Sequence, residues 1–160
     1  MVERLLREGE VVADAPSAPS DAAFGAAYRW MGALMSRRGI AMRAPYPVWA
    51  WHSCGSYGRA PDAETIESLL SDNQLALAHF QIVELEVPDD GVLLTMYDAW
   101  NEVLDLFVDA AGAPDPFVPA ALVTRLLDVP DRAWDDGVCR SVQATLPRLE
   151  RAWIRSVRSV

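Results

Sequence analysis

A chain of 160 residues with 51% hydrophobic side chains, six tryptophans among them, can bury a real core, and it reads as one globular domain, not a disordered segment. Its net charge of −9 argues against binding duplex nucleic acid, and all 14 basic residues are Arg, which removes Lys from the possible nucleophiles and Schiff-base formers. No apolar run reaches a membrane span, the N-terminal residues hold no signal-peptide h-region, and Cys54 and Cys139 are too few for a disulfide scaffold, so the expectation is a cytoplasmic protein without a membrane contact.

The charge is uneven: residues 1–130 carry 8 Arg against 19 acids, whereas residues 131–160 carry 6 Arg against 4. In chain order, Val2–Glu8 reads as a helix closed by Gly9, with Glu10–Ala13 a short strand. Ala15–Ser20 is a loop, and Ser20 caps a helix that runs to Arg38 and stops at Gly39. Phe24, Tyr28, Met31 and Met35 form its apolar stripe. Tyr46–Ser53 is a strand on which Trp49 and Trp51 point to one face, with Val48 and Ala50 on the other. Gly55–Asp62 is a loop and Ala63–Leu70 a short helix or turn.

His79–Val87 has partly consecutive apolar residues, including Ile82 and Val83, which predicts a strand buried on both sides. Pro88–Gly91 is a turn, and Val92–Thr95 a strand antiparallel to the preceding one. Thr95 and Asp98 fit a capping box ahead of a helix that ends near Gly112. Pro114–Pro119 links it to a helix over Val118–Leu127. The last element is read as a helix from Asp131 to Arg158, kinked at Pro147, with Val138, Val142, Leu146, Leu149, Trp153 and Val157 as its stripe. These elements predict an α+β fold: a single domain over 1–160, with a small, mostly antiparallel sheet packed by four to five helices and the strand order left open.

The densest polar chemistry follows the two tryptophans. Trp49 and Trp51 are an aromatic wall for a planar ligand, or the packing of a strand on a helix. His52 and Cys54 share a face on a regular strand and suit an activated thiolate, whereas His52 and Ser53, being adjacent, point apart. A hydrogen-bonded histidine and a buried cysteine are the alternative. Tyr57 belongs to the same cluster, and Gly55–Arg59 can cradle an anion or simply turn the chain. Glu84 and Glu86 share a strand face as candidate paired carboxylates or as a solvated face. Arg148, Arg151, Arg155 and Arg158 form a stripe on the expected last helix. His52-x-Cys54 is too short a ligand set for zinc, so no metal is expected.

Five segments carry a family resemblance. They are Ala27–Met31 with Met35–Gly39, Pro47–Trp51, Glu84–Pro88 with Val92–Thr95, Asp98–Leu104 and Leu149–Trp153. On these the chain resembles a bacterial family of uncharacterised proteins called domain of unknown function 3841. The resemblance implies a strand before the first helix; here Met1 falls inside that helix, so either the strand is missing or the start codon is misplaced. It also implies a Trp-His and a Leu-Asn pair where this chain has Trp100-Asn101 and Leu104-Asp105. The label implies no activity.

Two readings of function follow. One is a non-catalytic interaction or accessory protein, or a small-ligand binder, with an acidic body, no cofactor, and a protein or a small planar molecule as partner. The alternative is an NAD-using enzyme that resembles ADP-ribosyltransferases in its pattern of strands. That resemblance implies Trp51, Tyr57 and Trp100 against the nicotinamide side, Arg43 or Arg59 on the pyrophosphate, and Glu102 or Glu84 on the ribose. A pocket is expected where the strand Tyr46–Ser53 meets the loop Gly55–Arg59.

Overall fold

The computed structural model describes residues 1–13, 22–55, 58–61, 81–110, 116–130 and 140–159. Helix α1 (Val2–Glu8) is closed by Gly9 at φ 83°, and the Gly9 N–H donates to the Leu5 carbonyl. That left-handed cap is open to glycine at little cost. Strand β1 (Glu10–Val11) follows, then α2 (Ala22–Arg37), which stops at Gly39 with φ 86°. The buried face of α2 holds Ala27, Met31, Leu34 and Met35, while Phe24 is exposed. Strand β2 (Val48–Gly55) starts and ends two residues later than the predicted segment Tyr46–Ser53, and β3 (Gln81–Leu85) and β4 (Leu93–Met96) flank a short 3-10 turn at Asp89–Gly91. Helix α3 (Tyr97–Asp109) and helix α4 (Ala120–Leu127) come next. The C-terminal part holds β5 (Arg140–Leu146), β6 (Leu149–Glu150), a 3-10 turn at Arg151–Trp153 and β7 (Ile154–Ser159).

The expected α+β class holds, with every ladder antiparallel, and the described strands form three small sheets of order β1-β6, β2-β5-β4 and β3-β7. Four helices accompany them among the described residues. Three expectations are corrected. The last segment is not a helix over 140–159, because Val142 and Leu146 also satisfy the two-residue period of strands and residues 142–147 are buried on both faces. Strand β4 does not pair with β3: β5 takes β4 and β7 takes β3. Gln81 and Glu84 of β3 are exposed and Ile82, Val83 and Leu85 only half-buried, so that strand is not buried on both sides.

Met96 precedes α3 without a side-chain cap, and Thr95 is a fully buried residue of β4, so the capping box does not form. The expected loop at 15–20 with its Ser20 cap, the helix at 63–70, the start of the strand at His79, the helix end at Gly112 and the segment 131–139 lie outside the described residues.

The core has two parts. In the larger, Ala27, Met31 and Leu34 of α2 meet Trp100, Val103 and Phe107 of α3, with Leu122 and Leu126 of α4 closing it. The smaller gathers Leu5, Val11, Leu146 and Leu149 with Val48 and Ala50 of β2. No described helix is long and apolar enough to cross a membrane.

Candidate functional site

Directly opposed residues of an antiparallel pair share a face of the sheet. Trp49 lies opposite Thr145 and Thr145 opposite Leu93; Trp51 lies opposite Gln143 and Gln143 opposite Thr95. These six therefore form two neighbouring rows on one face of the β2-β5-β4 sheet. Val48, Ala50, Ala144 and Leu146 occupy the other face, as the alternation in sequence predicts, and Val48, Ala50 and Leu146 feed the smaller core. Helices α2 and α3 cover the tryptophan face: Trp49 stacks on Trp100 at 4.7 Å between centroids and meets Tyr28 at 5.2 Å, while Trp51 meets Tyr97 edge-on at 4.9 Å.

The face is polar at its centre. Thr95 and Thr145 have no solvent exposure and Gln143 is 8% exposed. Thr145 Oγ1 donates to the Leu93 carbonyl at 2.9 Å. Trp49 Nε1, Thr95 Oγ1 and Gln143 Oε1 are buried and have no hydrogen-bond partner among the described residues. Buried polar atoms are nearly always paired, so three unpaired on adjacent rows of one face mark it out.

A cleft of about 430 Å³ opens beside this wall, between the N-terminal segment and the start of β2. Arg4, Val12, Ala13, Tyr28, Tyr46 and Trp49 are among the residues that line it. A lone bridge between Ala13 and Tyr46 frames it. The Tyr46 hydroxyl accepts from Arg29 Nη1 at 3.1 Å. Burial pushes the Tyr28 phenol above its ordinary pKa, so its hydroxyl stays protonated at neutral pH.

The candidates named from sequence separate into groups. Trp49, Trp51 and Trp100 come together at the wall, with Trp100 itself only 2% exposed and part of the core. The expected divergence of His52 and Ser53 is corrected. The register shifts between Trp51 and Ser53, and the bulge brings His52 Nδ1 within 2.6 Å of Ser53 Oγ. Ser53 Oγ also accepts the Gly58 N–H at 2.8 Å, so its own proton is left to donate to an unprotonated His52 nitrogen. Burial lowers the His52 pKa, which favours that neutral ring. With Ser53 fully buried, the pair holds the chain as it leaves β2 and is no exposed nucleophile with its base.

Cys54 is buried, and its N–H donates to the Arg59 carbonyl at 2.8 Å. The shift puts Ser53 opposite Val142 and Cys54 opposite Ser141. Tyr57 lies outside the described residues. Arg59 is exposed, and Arg43 pairs with Glu10 at 3.4 Å. Glu102 is exposed on α3 and doubly hydrogen-bonded by Arg125 of α4, which holds its carboxyl below the usual range. Glu84 accepts from Ser156 at 2.8 Å and Glu86 pairs with Arg155, both on the β3-β7 ribbon.

The arginine stripe disperses once its helix becomes strands. Arg148 pairs with Glu10 at 3.1 Å and lies over the Trp153 ring, Arg151 donates to the Leu6 carbonyl, and Arg155 takes Glu86. Gln143 and Thr95 escape the sequence reading because one sits in the misread helix and the other poses as a cap. The signal that finds Gln143 is the alternation of Ser141, Gln143 and Thr145 with Val142, Ala144 and Leu146.

The family described as Domain of unknown function (DUF3841) matches residues 7–108, and the chain belongs to it. The matched span takes in Tyr28, Trp49, Trp51, Thr95 and Trp100, and ends before Gln143. Comparison with curated proteins and comparison with solved structures each returned no match.

Proposed function

We propose that this protein binds a small planar ligand at the cleft beside Trp49 and does not transform it. The observation that carries the reading is the cleft itself: about 430 Å³, with Tyr28, Tyr46 and Trp49 on its walls. That volume lies in the range of small-molecule sites, roughly 300–1,000 Å³. Aromatic faces of this kind stack on flat rings and fix their plane. Binding without chemistry is favoured because Ser53 is fully buried and engaged by Gly58. The carboxylates needed by an NAD-using transferase, Glu84 and Glu102, do not line the cleft. The expected pocket at the far end of β2 gives way in this reading to the cleft at its near end.

The test is a titration of the intrinsic tryptophan fluorescence with a panel of flat heterocycles, nucleotides and NAD. A saturable change in the wild type, weakened at least tenfold in Val12→Phe at an unchanged melting temperature, is the expected result. Absence of a saturable change with every member of the panel overturns the reading and leaves an interaction protein.

A further inference from the structure

The cleft beside Trp49 carries positive charge on an otherwise apolar wall. We propose that its flat ligand bears an anionic group, a carboxylate or a phosphate, held by the Arg4 guanidinium with the Tyr46 hydroxyl as a second donor. The inference rests on the planar-ligand reading above and names the class of molecule that site takes.

Val11, Val12, Val48 and Leu149 line the cleft beside the aromatic rings. Among the described lining residues the charged side chain is Arg4, and no carboxylate lines the cleft with it. Glu8 is shared between Arg4, at 2.9 Å, and Arg7, at 3.1 Å, so this group of three keeps one net positive charge. A second cation stands one hydrogen bond from the wall. Arg29 Nη1 donates to the Tyr46 hydroxyl at 3.1 Å, and among the described residues no carboxylate pairs with Arg29. The hydroxyl oxygen thus accepts from a cation, and its own hydrogen is left to donate. A hydroxyl polarised in this way is a stronger donor.

These groups choose among ligands by charge. Hydrogen bonds from a guanidinium to an oxyanion are about twice as strong as neutral ones, and the planar fork matches the edge of a carboxylate or phosphate. A neutral carbonyl gains less from the same donors. A cationic ring meets Arg4 with no acid on the described wall to offset it. The net charge of −9 does not reverse the preference. At physiological salt exposed charges are screened beyond roughly 8 Å, so the nearest ones decide.

Two pairs of probes share a ring system and differ in charge: naphthoate against naphthamide, and AMP against adenosine. Each is titrated onto the whole chain at neutral pH by saturation-transfer NMR. In at least one pair the anion is expected to bind about fivefold tighter, the equivalent of ~1 kcal/mol for a partly exposed charge pair. The two pairs tell a carboxylate from a phosphate. Arg4→Gln and Tyr46→Phe are each expected to abolish most of that preference while the neutral probe binds as before. Arg7→Gln removes the same charge from a residue that does not line the cleft, and is expected to keep it. The Arg4 side chain is 43% exposed, so its replacement leaves the core untouched. Should Tyr46→Phe fail to fold, Arg29→Gln, at an exposed position, replaces it and is held to the same outcome. Equal binding within both pairs, a preference that survives either substitution, or one lost equally in Arg7→Gln overturns the anionic assignment while the planar-ligand reading stands. If neither pair binds while the fluorescence panel saturates with a neutral heterocycle, the assignment alone falls. If nothing binds in either experiment, both fall.

Discussion

Trp49 of β2 and Trp100 of α3 lie with their ring centroids 4.7 Å apart and their planes at 30°, and this stack fixes the helix over the tryptophan face of the sheet. Tyr28 of α2 completes the contact from the other helix, at 6.1 Å from Trp100. One side chain thus ties the sheet to α2 and α3. Replacing Trp100 by Ala leaves a large void at the centre of the main core, and the expected cost is about 3–5 kcal/mol. Urea unfolding followed by far-UV circular dichroism measures it, and a wild-type midpoint would mean that the stack does not hold the helix.

Leu146 and Val83 separate the two kinds of strand. Leu146 has no solvent exposure and sits in the smaller core, so Leu146→Ala is expected to cost about 2–5 kcal/mol. Val83 is half-buried on β3, opposite Val157, which is 38% exposed. A charge there keeps access to water, and Val83→Asp is expected to cost only about 1 kcal/mol. Measured in parallel by thermal and urea unfolding, the reverse order would mean that the β3-β7 ribbon is part of the core.

What the sequence reveals of this fold follows from how local its causes are. Gly9 and Gly39 announce their helix ends, because a left-handed cap is a property of one residue. Trp49 and Trp51 announce a shared face, because strand alternation needs only the two of them. The C-terminal region misleads because Val142 and Leu146 fit two periods at once. What decides between them is the pairing with β2 and β4, far away in the chain. Thr95 misleads in the same way: a threonine three residues before Asp98 is a cap in isolation, and β5 recruits it into a sheet instead. The site suffered most, since Gln143 becomes visible as a candidate only when Trp51 and Thr95 are known to flank it. The bulge that joins His52 to Ser53 has no sequence signature of its own.

The arginines near the C-terminus are expected to give no grip on duplex nucleic acid. Arg148 is shared between Glu10, Glu150 and the Trp153 ring, and Arg155 is paired with Glu86, so the neighbours already neutralise them. The chain as a whole carries −9. A phosphate backbone competes poorly for such pairs while meeting a net negative field. Fluorescence anisotropy with labelled duplex DNA at about 0.15 M salt is expected to show no saturable binding. A tight complex with a steep salt dependence would contradict this, and Arg158→Gln, which alters an exposed side chain, would then be the first variant to examine.

His52 sets a pH dependence whose sign follows from its burial. Desolvation lowers its pKa below the ordinary 6.5, so the folded state resists protonating this ring more than the unfolded chain does. Over that window the unfolded state binds more protons, and stability therefore rises with pH. The contribution is fully present above about 6.5 and is lost as the pH falls from there through the folded value. Protonation also removes the nitrogen lone pair that accepts the Ser53 hydroxyl, which works in the same direction. Glu8 and Glu102 act in a lower window. Hydrogen bonds from Arg4 and Arg125 respectively hold them below the ordinary 4.5, so their contributions are present above that value and vanish only in stronger acid. Substituting His52→Asn keeps an acceptor near the position of Nδ1 and removes the titration. Urea midpoints measured between about pH 7.5 and pH 5 are expected to fall more steeply for the wild type than for His52→Asn. Parallel curves would mean that the ring titrates alike in the folded and unfolded chain, and that the Ser53 bond does not depend on a neutral imidazole.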